Sequence, residues 1–197
     1  MRKIVIATSN EHKLKEIVNI MQGLPVQLLS LKNFSQLEPI QETGNDFREN
    51  ALLKAKTLFD FSGLISLGDD SGLEVEVLNG APGIFSARYA GNSKDDLANN
   101  RKLLQELTNI PDRNRTAQFK CVVGIVGPSL LEVVEGEVKG RIIHEIRGKT
   151  GFGYDPLFIP DGFNKTFGEL GEIEKNKISH RAIAFKKAKK ILEKFIL

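Results

Sequence analysis

Short β-branched runs alternate with segments of helical period through the first half of this chain, and from Gln118 onward they give way to consecutive strand-like runs. That order restricts the fold more than any single motif, because alternating strands and helices build a covered sheet whereas successive strands build hairpins or meanders. Lys3 to Ala7 reads as a strand, and Leu14, Ile17, Val18 and Met21 recur at helical spacing after it. Val26 to Leu31 is a second strand, and Asp46 is placed to cap a helix carrying Phe47, Ala51, Ala55, Leu58 and Phe59, with Asn50 and Lys54 together on another face. Ile65 to Leu67 is expected to end at an acidic turn, GDDSG, after which Leu73, Val75 and Val77 alternate as in a half-buried strand. Ser93 starts a further helix, with Asp96 at the capping-box position. FKCVVGIVG, LLEVVEGEVKG and RIIHEI read as three strands, and Ser179 caps a closing amphipathic helix with Ile183, Ala184, Ala188, Ile191, Leu192 and Phe195 on its apolar face. The prediction is a mixed-sheet α/β protein, one domain over residues 1–197 made of two lobes.

At 197 residues, with 41% hydrophobic and 27% charged residues, the chain can bury a sizeable core. Its 28 basic and 25 acidic residues are too evenly mixed to demand nucleic acid, so no stable nucleic-acid partner is expected, while a small polyanion remains compatible. Cys121 is the single cysteine and lies in an apolar run, as a buried strand residue would; a reducing cytoplasm fits. The apolar stretch after the basic start is too short for a signal peptide, and no run is long enough for a membrane span. A soluble cytoplasmic protein is therefore expected.

Adjacent aspartates repel, so Asp69 and Asp70 call for a cation or protons, although GDDSG alone reads equally as an ordinary turn. TSNEHK, Thr8 to Lys13, lies between the first strand and helix, where free N–H groups and the helix dipole can receive a phosphate; alone, it is equally a Ser/Asn cap. A P-loop is excluded: Gly148, Lys149 and Thr150 resemble its end, but Ile143 stands where its first glycine belongs. Glu42 with Asp69 and Asp70 supplies oxygen ligands suited to Mg²⁺ or Mn²⁺, and the few Cys and His residues argue against zinc. GFGYDPLF combines flexible glycines with aromatics, as stacking on a planar ring or a tight turn requires, and Pro156 rules out a dinucleotide-binding G-x-G-x-x-G. His180 and Arg181 are cations at a helix start, where they oppose the dipole and favour an anionic or carbonyl-bearing ligand.

TSNEHK, ETGNDFRENALLKAK, GDDSGLEVEVLNGAPGIFSARYAG, GFGYDPLF and EKNKISHRA, in this order from Ile4 to Ala188, resemble the inosine triphosphate pyrophosphatase family, the Ham1-like house-cleaning nucleotidases. The resemblance implies Mg²⁺-dependent hydrolysis of ITP, dITP and XTP to monophosphate and pyrophosphate, in a homodimer whose elongated two-lobed subunit carries the active site in the cleft between lobes. It assigns Thr8, Ser9, Asn10, Glu11, His12 and Lys13 to the triphosphate, Lys54 to phosphate charge, Glu42 and Asp70 to the metal, and Ser71 to a substrate contact. Asp70 also matches the proton acceptor for the attacking water, with Asp69 in support. Phe152, Gly153, Tyr154 and Asp155 match the segment that stacks on and borders the base, and Lys175, His180 and Arg181 match positions that read it. Two other classes compete: a Maf-like pyrophosphatase acting on modified pyrimidine nucleotides, and a non-catalytic nucleotide or nucleic-acid binder, which would gain little from two extra carboxylates.

Overall fold

The computed structural model describes residues 2–91 and 94–196. β1 (Arg2–Ile6), α1 (Glu11–Ile20), β2 (Val26–Ser30), α2 (Phe47–Ser62) and β3 (Ile65–Val75) follow one another, and β1 pairs in parallel with both β2 and β3. Helical crossovers are what parallel neighbours require. α3 (Asp96–Glu106) precedes two long strands, β4 (Thr116–Gly127) and β5 (Leu130–Ile142). Only Pro128 and Ser129 join them, which makes the pair a hairpin. β6 (Phe158–Pro160) lies antiparallel to β5, and α4 (Phe167–Ile178) and α5 (His180–Ile196) complete the chain. The sheet order is β2-β1-β3-β4-β5-β6, a mixed six-stranded sheet.

Several expectations change. GDDSG is not a turn: Gly68 to Gly72 lie inside β3, and the strand ends before Val77, which belongs to a short 3-10 turn at Glu76–Leu78. RIIHEI is no separate strand, since Arg141 and Ile142 finish β5 and the next backbone N–H, of Ile143, donates to the Leu157 carbonyl at 3.0 Å. Ser93 lies outside the described residues; α3 starts at Asp96, and Asp95 caps it by accepting from the N–H groups of Leu97 and Ala98. Asp46 caps α2 as its sequence implies, accepting the Glu49 N–H at 2.7 Å. We expect Asp46→Ala to cost about 1 kcal/mol of stability, read by urea unfolding.

Two compact units divide the chain: residues 1–70, 121–136 and 181–197 form the first, and residues 71–120 and 137–180 the second. The chain crosses between them within β3, β4 and β5 and again after His180. In the first unit Ile4, Ile6, Ile17, Leu67, Val123 and Ile125 pack with Ala184, Phe185, Ala188 and Leu192 of α5. Cys121 belongs to this core, and burial pushes its thiol up to about 12, which leaves it unreactive. The second unit has its own core of Leu73, Val75, Leu103, Leu107, Phe119, Tyr154, Phe158 and Phe167. Among the described residues no helix is long and apolar enough to cross a membrane.

Candidate active site

In the first unit the two aspartates of β3 serve opposite faces of the strand, as successive strand residues must. Asp69 is buried and accepts from Lys13 Nζ of α1 at 3.1 Å, with Arg181 Nε of α5 at 3.9 Å. Arg181 in turn donates to Glu16 at 2.6 Å. Burial pushes the Asp69 carboxyl up, but Lys13, Arg181 and Lys54 together hold it below the usual carboxylate range. Its Oδ1 is buried and makes no hydrogen bond among the described residues.

Asp70 faces α2. Its Oδ1 accepts from Lys54 at 3.0 Å and its Oδ2 from Asn50 at 3.2 Å. Asn50 and Lys54 reach it together because they stand one helical turn apart, on the shared face anticipated from their spacing. Lys54 also donates to Glu42 at 2.7 Å, and Asn50 Oδ1 accepts the Gly44 N–H at 2.8 Å, so the ETG segment is tied to the same cluster. Two carboxylates thus share one ammonium. Burial pushes the Asp70 carboxyl above its ordinary value, Lys54 pulls against this, and Glu42 reinforces it. The excess negative charge suits a divalent cation. Among the described residues no group of three or more His, Cys, Asp or Glu side chains could hold a metal ion, so a metal on Glu42 and Asp70 would need further oxygens from phosphate and water. That is how Mg²⁺ is usually held.

Gly68 sets the distance between β3 and α2. A Cβ there would lie 2.3 Å from the Ala51 carbonyl oxygen and 2.6 Å from the Ala55 nitrogen. Only glycine lets the helix carrying Asn50 and Lys54 approach so closely.

At the start of α1, Asn10 accepts the Lys13 N–H at 3.1 Å, and the Asn10 N–H donates to the Thr8 hydroxyl at 3.2 Å. Thr8 is buried, while Ser9, Asn10, Glu11 and His12 are exposed. Glu11 pairs with Lys32 at 2.5 Å on the surface.

The second unit holds the remaining candidates. Asp155 Oδ2 accepts from both the Phe152 N–H at 2.9 Å and Lys175 Nζ at 2.6 Å, and the same ammonium lies 4.5 Å from the centroid of the Phe152 ring. Asp155 and Lys175 are both buried. Gly151 has a φ of 82°, and a Cβ on it would meet Asp155 Oδ2 at 2.2 Å. Tyr154 points into the core and donates from its hydroxyl to the Ser86 carbonyl at 2.9 Å. His180 stacks on Phe119, with ring centroids 4.7 Å apart and planes within 7°. Ser71 is half-buried in β3. SHR is therefore divided, with His180 in the second unit and Arg181 in the first. Asn50 and Glu16 are among the polar contacts of these clusters to which no sequence motif assigns a role. The Asn50–Lys54 spacing signals the first, whereas nothing in the sequence links Glu16 to a residue 165 positions away.

A helix N-terminus with a lysine, and buried carboxylates shared with lysines, are chemistry that suits a phosphorylated ligand carrying a divalent cation. The Ham1 family model matches residues 4–191. The chain is 45% identical over 196 residues to a dITP/XTP pyrophosphatase of Desulforamulus reducens, covering 99% of this chain and 98% of that protein. It is 46% identical over 194 residues to one of Bacillus subtilis, covering 98% of each. Among solved structures, the Staphylococcus aureus Ham1 protein superposes with a TM-score of 0.88 at 39% identity, covering 98% of each chain. A HAM1 protein from Coxiella burnetii gives 0.90 at 38% identity, covering 98% of this chain and 100% of the other. The chain belongs to the Ham1 family.

Proposed function

We propose that this protein hydrolyses the non-canonical purine nucleoside triphosphates ITP, dITP and XTP to the monophosphate and pyrophosphate, clearing them from the nucleotide pool. The observation that carries this reading is the Glu42–Lys54–Asp70 cluster, in a chain whose relatives in Desulforamulus reducens and Bacillus subtilis are dITP/XTP pyrophosphatases. Releasing pyrophosphate requires water to attack the α-phosphorus while the bond to the bridging oxygen breaks. Asp70 accepts the water's proton. Lys13 and Lys54 stabilise the charge that moves onto the departing pyrophosphate. The N–H groups at the start of α1 hold the triphosphate. Glu42 and Asp70 would hold Mg²⁺, or Mn²⁺ in its place, and the ion would supply neutralisation of phosphate charge.

Following the family resemblance, Phe152 stacks on the base, and Lys175 and His180 read it. Arg181 can only donate hydrogen bonds, so it favours a purine with a carbonyl at the six-position and rejects adenine, which presents an amino group there. The homodimer belongs to the same reading and rests on the family resemblance, and the cytoplasmic location rests on the single buried cysteine and the sequence pattern. A panel of ITP, XTP, dUTP, GTP and ATP with Mg²⁺ tests it. We expect kcat/KM for ITP and XTP to exceed that for ATP by about 10²-fold or more. Equal rates on ATP would contradict base reading by Arg181, and dUTP as the best substrate would favour the Maf-like alternative.

A further inference from the structure

We infer that Asp96 and Asn100, on the first turns of α3, are positioning residues that set the orientation of the Phe152 ring toward the base; this rests on the function proposed above. Asp95 caps α3, which frees the Asp96 side chain from that task. Asp96 Oδ2 instead accepts the Gly153 N–H at 2.6 Å, a charge-assisted bond. Asn100 Nδ2 donates to the Gly153 carbonyl at 2.8 Å and to the Asp96 carbonyl at 2.7 Å.

The N–H and C=O of Gly153 are therefore both held by one helix, and Gly153 adopts a left-handed φ of 61°. One residue earlier, the Phe152 N–H is held by Asp155, which is itself fixed by Lys175. The backbone polar groups flanking the Phe152 side chain, its own N–H and both groups of Gly153, are anchored, which leaves the segment little freedom to rotate the ring away. α3 is a rigid base for this, because Leu103 and Leu107 at its other end lie in the second unit's core. Its next side chain ties down a neighbouring segment too: Asn99 accepts the Ala90 N–H at 2.7 Å and donates to the Ala87 carbonyl at 3.3 Å. Asn100 Oδ1 is buried and makes no hydrogen bond among the described residues. The amide acts here through its donors, which end on Gly153 and on its own helix.

The test compares Asp96→Ala, Asp96→Asn and Asn100→Leu with wild type, measuring KM and kcat for ITP and inhibition by inorganic tripolyphosphate, which has phosphates but no base. Losing one of these bonds should raise KM for ITP about tenfold, with kcat changing less than KM. Tripolyphosphate inhibition should stay at the wild-type level, and Asp96→Asn, which keeps an acceptor oxygen, should recover most of the loss. Unchanged KM in both Asp96→Ala and Asn100→Leu would overturn the inference, as would tripolyphosphate inhibition that weakens in step with KM, since a merely structural role for α3 affects both ends of the substrate. Wild-type enzyme that turned over no purine triphosphate would instead remove the functional reading, and this inference with it.

Discussion

Asp70→Asn is expected to lower kcat for ITP by about 10² to 10⁴-fold while KM changes only a few-fold. The amide keeps the shape of the carboxyl but cannot take the water's proton, and it is a poorer ligand for a divalent cation. Asp70 Oδ1 and Oδ2 each accept from a donor, Lys54 and Asn50, so the new NH₂ must also confront one of them. That mismatch costs about 1 to 3 kcal/mol of stability, and the kinetic comparison is best made at a temperature where the variant remains folded. Nucleotide binding persists because the N–H groups of α1 and Lys13 are untouched. Turnover at the wild-type rate would remove Asp70 from the mechanism.

Gly68→Ala has the largest expected effect on folding. Its Cβ would sit 2.3 Å from the Ala51 carbonyl oxygen, 2.6 Å from the Ala55 nitrogen and 3.0 Å from Lys54 Cβ. The first two are backbone atoms of α2, so relief requires the helix to move as a body. We expect a loss of about 3 kcal/mol or more in urea unfolding, well beyond the cost of removing the Asp46 cap. Any fraction that folds should also be a poor enzyme, because a shift of α2 carries Asn50 and Lys54 away from Asp70. Unfolding within about 0.5 kcal/mol of wild type would show that the β3–α2 spacing is not set by this glycine.

The same glycine shows why part of the fold was hidden in the sequence. Gly, Asp and Ser are turn formers, and GDDSG read as a turn because composition was its only local signal. In β3 each departure from strand chemistry has a distant cause: Gly68 answers to α2, Asp69 to Lys13 and Arg181, and Asp70 to Lys54 and Asn50. Where the signals were local the reading held, as in β1, α1 and the Asp46-capped α2, whose apolar spacing and cap lie within a few residues of one another. α4 went unread because Gly171, at a φ of 77°, interrupts it and Ile173 is 77% exposed, so no apolar stripe marks it. β6 spans only three residues, too short for a period to show.

The candidate site divides along the same line. Its ordered motifs were visible as blocks of sequence, but their electrostatic arrangement was not. From the residues alone Asp69 and Asp70 read as a mutually repelling pair, and only the family resemblance separates their roles. In the strand they face different partners: Lys13, Arg181 and Lys54 outweigh burial and hold Asp69 below its ordinary pKa, while burial and Glu42 raise that of Asp70. Asn50 and Asp96 were read as a helix-face residue and a capping residue, yet each reaches beyond its own helix to a motif residue.

The most direct measurement of the central claim is the phosphorus product released from ITP by the purified protein with Mg²⁺. Attack on the α-phosphorus predicts one pyrophosphate and one IMP per turnover, with no orthophosphate in the absence of an added pyrophosphatase. Orthophosphate with IDP as the initial products would place the cleavage at the γ-phosphorus and contradict the account.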